Sequence, residues 1–182
     1  MEKIIAFHCA PALAGIKAAN LVSCHKSKFG DVSGNVERLN AQMNRKNIFF
    51  EIMRECERGT LVLVYRKEVL QRTLTEKGIY RFLRSFGYPQ NVIVDVYLEF
   101  LKTRMRNREF PHEIGAFLGY PLHDIHGFLY HKNYGCILSG DWKVYKDADN
   151  AQRLFERFAA CRKAVVKKLN EGQSLAQIFC AA

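Results

Sequence analysis

Cys9, Lys17, His112 and Lys143 are the side chains whose types and surroundings could do chemistry in this chain. A thiolate nucleophile needs a nearby cation or base to lower its pKa, which for Cys9 could come from His8, Lys17 or His112. Neighbours on an extended strand point to opposite faces, so His8 is not the expected base. His112, remote in sequence, is the better partner. The alternative for Cys9 is a buried structural thiol before a turn at Pro11. His112-Glu113 follows Pro111 at an expected helix start. There a histidine can act as acid or base near neutral pH, or simply cap and pack, and Glu113 meets exposed backbone amides.

Two dense stretches surround these groups. Residues 112–128 hold three glycines, three histidines, two acids and several aromatics, broken at Gly119-Tyr120-Pro121. Such a mixture is not ordinary core filler, because glycines weaken helices and buried histidines need partners. Gly140-Asp141-Trp142-Lys143-Val144-Tyr145 contains the only tryptophan. Strand alternation would send Trp142 and Val144 to one face and Lys143 and Tyr145 to the other. That arrangement suits the lip of a ligand pocket with Lys143 holding an anionic group, and equally a core tryptophan on a half-buried strand.

Residues 112–131 also imitate a helix-turn-helix, with 113–119 as first helix, Tyr120-Pro121 as turn and 122–131 as recognition helix. Against that, the second helix offers Asp124, Gly127 and Phe128 where phosphate-binding side chains should face out. A metal site from His123, His126, His131 and Cys136 lacks a matching second pair, and no metal is expected. No dinucleotide fingerprint, P-loop or nucleophile elbow is present, so neither nucleotide-phosphate cradling nor serine hydrolysis has a motif to rest on.

A chain of 182 residues with 48% hydrophobic and 25% charged residues can bury a core as one domain, residues 1–182. Its apolar runs are too short to span a membrane, so no membrane partner is expected. The first residues lack the apolar stretch of a signal peptide, so the cytoplasm is the expected compartment. Six cysteines without a C-x-x-C pair read as free thiols. The formal charge of +10 favours anionic partners. Its clusters, Arg104, Arg106 and Arg108, then Arg162, Lys163, Lys167 and Lys168, also fit helix C-termini, where cations complement the macrodipole.

The elements that must position these groups are readable in outline. Residues 1–15 are ambiguous, 18–24 read as a strand, and 25–35 as a flexible polar segment before a short helix at 36–44. Residues 48–56 and 61–66 form a hairpin around Glu57-Arg58-Gly59-Thr60. A helical pattern over 67–86 breaks near 75–78, and a further helix over 90–107 carries apolar residues on most sides and is expected to be buried on most of them. Residues 136–145 read as an interrupted strand. A long helix carries Leu154, Phe155, Phe158, Cys161, Val165 and Leu169, with a turn at 173–179. The expected class is α+β: one single-layer, small, mainly antiparallel sheet with several helices, packed on one face.

Phe7-His8-Cys9-Ala10-Pro11-Ala12-Leu13-Ala14-Gly15-Ile16-Lys17, Leu63-Val64-Tyr65-Arg66, residues 112–128 and Trp142-Lys143-Val144-Tyr145, in that order, resemble a bacterial family of unknown function, domain-of-unknown-function family 3793. The resemblance covers nearly the whole chain. It matches at His8, Cys9, Gly15, Lys17, Tyr65, His112, Glu113, Gly119, Tyr120, Pro121, Trp142, Lys143 and Tyr145. It departs at His123 and His126. The family has no established activity, so the resemblance implies an outline and no mechanism.

The first functional reading is a protein with one pocket for a small anionic molecule. His112 and Cys9 would be the reactive groups, and Lys17, Tyr65, Glu113, Trp142, Lys143 and Tyr145 would hold the ligand. A nucleic-acid-binding module using 112–131, and a non-catalytic protein-interaction module, are the alternatives. The sequence names neither a reaction nor a cofactor.

Overall fold

The computed structural model describes residues 1–57, 59–107 and 109–180. Arg58 of the expected turn and Arg108 of the first basic cluster lie outside the described residues. Three antiparallel strands, β1 (Ala19–His25), β2 (Ile48–Cys56) and β3 (Gly59–Arg66), form a sheet in the order β1-β3-β2. The central strand β3 carries the unbroken apolar run Leu61-Val62-Leu63-Val64-Tyr65, the pattern of a strand covered on both faces. Val62 and Val64 enter one core with Val22, Cys24 and Phe50, while Leu63 and Tyr65 enter another with Ala19 and Met53. Helices therefore cover both faces of the sheet, which corrects the one-sided packing expected from sequence.

On the first face lie α1 (Glu2–Leu13), α3 (Val32–Met43) and α10 (Leu175–Cys180), contributing Ile5, Cys9, Leu13, Leu39, Met43 and Leu175. The ambiguous N-terminal segment is thus a helix, with Pro11 in its last turn. The segment expected to be flexible is also structured. It forms the single turn α2 (Lys26–Phe29) and the start of α3, where Asp31 accepts a hydrogen bond from Gly34 N at 2.9 Å.

The second face carries α4 (Lys67–Thr75), α5 (Lys77–Ser85), α6 (Val94–Met105), α7 (Ile114–Phe117) and α8 (Leu122–His131). The break between α4 and α5 falls at Glu76, with ψ 130°, inside the span expected for it. Helix α6 is shorter than the expected 90–107 and not buried all round: Ile93 is 50% and Val96 43% exposed.

The 136–145 region is a two-stranded ribbon rather than one strand: β4 (Leu138–Ser139) pairs antiparallel with β5 (Lys143–Val144), so Gly140 lies in the connection. Trp142 and Val144 are buried, with Lys143 and Tyr145 half-buried, so the alternation holds over this short stretch. The long helix α9 (Ala148–Asn170) ties the parts together: Ala151 and Phe158 pack with Trp142, and Val165 reaches the core under α1. Among the described residues no helix is long and apolar enough to cross a membrane.

Candidate functional site

Helix terminations place two of the key side chains. Helix α1 ends in a left-handed turn: Gly15 has φ +73°, its N–H bonds Ala12 O at 3.0 Å, and Ile16 N bonds Pro11 O at 3.0 Å. Helix α7 ends the same way, with Gly119 at φ +71°, Gly119 N on Ala116 O at 3.2 Å and Tyr120 N on Gly115 O at 2.9 Å. A positive φ costs glycine little and other residues more, so these turns explain two glycines in the dense motifs. Each turn delivers one residue inward: Lys17 after the first, Tyr120 after the second. They meet, with Lys17 Nζ 5.1 Å from the Tyr120 ring centroid.

The ribbon is fixed to α8 by a carboxylate. Asp124 is 2% exposed, and it accepts hydrogen bonds from Trp142 Nε1 at 2.8 Å, Tyr145 N at 2.7 Å and Lys146 N at 3.3 Å. Three donors satisfy what would otherwise be a costly buried charge. Trp142 then lies between Tyr120, stacked at 5.1 Å between centroids, and Phe155, edge-on at 4.6 Å. Sequence reading gave Asp124 no such role. A lone acid in a helix carries no signal of where the indole will come from.

Between α7, α8 and the ribbon lies a cavity of about 300 Å³. Ile114, Leu118, Ile125, Phe128, Tyr120 and Trp142 form its walls, and His112, Lys143 and Phe110 also line it. The exposed His112 ring stands edge-on to Phe128 at 5.0 Å. Lys143 Nζ donates to Asn133 Oδ1. Three expected site residues, His112, Trp142 and Lys143, therefore share one cavity.

The other five do not line it, which corrects the expectation of a single shared pocket. Cys9 is fully buried in the core beneath α1, and burial pushes its thiol pKa up, away from the thiolate a nucleophile requires. Because α1 is a helix, the strand alternation invoked for His8 and Cys9 does not apply; His8 is exposed while Cys9 is not. Tyr65, 2% exposed, stacks on Phe49 at 5.6 Å in the core of the second face. Glu113, 1% exposed, is paired with Arg104 in front of the buried Tyr88. Tyr145 donates its hydroxyl to Lys132 O. Lys17 lies one wall away, across Tyr120.

Other sequence readings change as well. Helix α7 is one turn of four residues, all buried, so no helix spans 113–119 and the two-helix unit of a helix-turn-helix is not formed. Among the described residues no three His, Cys, Asp or Glu side chains are placed to hold a metal. His126 stacks on Tyr130 at 5.9 Å, with Nδ1 sealed from solvent. All six cysteines are free. The basic clusters are not simply solvated, since Arg104 pairs with Glu113 and Arg162 with Asp141.

A family model described as "Protein of unknown function (DUF3793)" matches residues 5–179. The chain belongs to that family. For DUF3793 no activity comes with the match, so the geometry alone must speak for function. No curated protein and no solved structure matches the chain.

Proposed function

We propose that the cavity beside Trp142 binds a small molecule with an aromatic or aliphatic body and one anionic group. The carrying observation is the convergence of His112 with the adjacent Trp142 and Lys143, from two separate stretches of chain, on one cavity of about 300 Å³. Its volume suits a compact metabolite, and its walls are mostly apolar, as in small-molecule sites generally. The polar groups stand where they can fix orientation. Lys143 supplies a cationic donor to a carboxylate or phosphate, and His112 supplies an imidazole that can donate or accept a hydrogen bond. Asp124 does not contact the ligand in this reading; it holds the indole in place.

Trp142, the only tryptophan, makes a direct probe. Titration with phenylacetate and with octanoate should change its emission saturably. Lys143→Ala should weaken binding about tenfold or more, the loss of a charge-assisted contact. No saturable change with either compound, at concentrations where the protein stays folded, would refute the reading.

A further inference from the structure

We propose that the cleft bounded by α1, β1, the ribbon and α9 is a second binding site, which takes one oxyanion group, phosphate or carboxylate, of a small molecule on Lys17 Nζ and Asn20 Nδ2. The cleft has a volume of about 420 Å³ and is separate from the cavity beside Trp142, with which it shares Leu118 and Tyr120. Lys17 and Asn20 line it, and each is only 6% exposed. Asn20 spends its Oδ1 on Ala12 N at 3.2 Å, which fixes the amide so that its NH₂ is left over. Among the described residues neither that NH₂ nor the Lys17 ammonium has a hydrogen-bond acceptor, and neither atom is sealed away from the cleft.

Two nearly buried side chains thus present donors without a protein acceptor to one cleft, and an anion could accept from both. The local charge agrees. Among the described residues lining the cleft, Asp141 is the single carboxylate, and it is already paired with Arg162. Lys17 and Arg162 against Asp141 leave the cleft net positive. Arg162 has guanidinium donors beyond the one given to Asp141, and His8 stands exposed at the mouth. The Tyr120 and Phe158 rings, 5.1 and 5.8 Å from Lys17 Nζ, hold the ammonium without neutralising it. Burial accordingly lowers the Lys17 pKa to about 8, with Asp141 pulling it up, Arg162 pushing it down and Cys9 opposing.

The test is a titration of the full chain with inorganic phosphate, and separately with acetate, at constant ionic strength set with chloride. The readout is the Asn20 side-chain amide and Lys17 ε-methylene NMR resonances. Saturable shifts are expected for at least one oxyanion, and the tighter of the two names the class. Lys17→Met should weaken binding at least tenfold. Asn20→Asp keeps the acceptor for Ala12 N but replaces the donor, so it should abolish binding. Lys143→Ala should leave this affinity unchanged, which separates the site from the cavity beside Trp142. Absence of saturation with both oxyanions in the unmodified protein, or affinity that survives both Lys17→Met and Asn20→Asp, overturns the proposal.

Discussion

The cavity beside Trp142 and the cleft around Lys17 share the Tyr120 ring as a wall and are built in opposite ways. In the first, the buried polar group is satisfied: Asp124 accepts three hydrogen bonds, and apart from His112 and Lys143 the remaining walls are mostly apolar. In the second, the buried polar groups Lys17 and Asn20 keep unused donors, and nearby charges are only partly balanced. The first arrangement stabilises the fold whether or not a ligand is present. The second leaves donors open to the cleft that an anionic ligand could engage. In the first region the satisfied carboxylate holds the cavity wall in place, and in the second the unused donors face the cleft itself.

The largest effect that would break this contrast is at Asp124. Asp124→Ala strands the Trp142 indole N–H and the Tyr145 amide, so unfolding in urea should show a loss of about 3 kcal/mol or more, with Trp142 emission shifted to the red. An unchanged midpoint would mean that the ribbon is not held by this carboxylate.

Lys17→Met should act in the reverse direction. The folded-state pKa of Lys17, about 8, lies below the unfolded value near 10.4, so between those values the unfolded chain binds more protons. Stability attributable to this residue therefore rises with pH across that window, and the cost is fully present below it. The variant should be more stable than the parent by up to about 3 kcal/mol at pH 7 in a buffer without oxyanions, and the gap should close towards pH 10. A gap that is absent at pH 7, or constant with pH, would show that Lys17 carries no burial penalty.

Gly119→Ala touches both regions. It forces a methyl-bearing residue to φ +71°, with its Cβ 3.1 Å from that of Ala18, and should cost about 1 to 2 kcal/mol by thermal unfolding. Because Tyr120 follows directly, phenylacetate and phosphate binding should both weaken; loss of only one would show that the wall is not shared. Lys143→Ala is the smallest in stability, within about 0.5 kcal/mol, while weakening the cavity's carboxylate ligands. A large stability loss there would make Lys143 structural.

Several elements were legible because their causes are local. The hairpin of β2 and β3, the interruption near Glu76 and the long amphipathic α9 follow from periodicity and turn residues. The two-sided cover of the sheet was also written in the chain: Leu61 to Tyr65 has no polar alternation, the mark of a strand buried on both faces. Helix α1 was illegible for the opposite reason. Its apolar residues run nearly all round and it carries Pro11 within its last turn, so no face stands out. The single turn α7 is too short for any period to declare itself.

For the sites, residue types pointed to Cys9 and His112 as reactive groups and to Lys17, Tyr65, Glu113, Trp142, Lys143 and Tyr145 as ligand-holding ones. Their grouping was decided elsewhere. Whether Cys9 faces a cleft or a core depends on the helix register of α1 against β1 and α9. Whether Lys17 joins Lys143 or stands apart depends on where the second left-handed turn delivers Tyr120. Sequence determined which groups could ionise and which turns required glycine, since those are properties of single residues and their neighbours. Tertiary packing alone decided which donors kept an acceptor, because a hydrogen-bond partner eight or twenty residues away is chosen by how layers meet, and nothing local encodes that meeting.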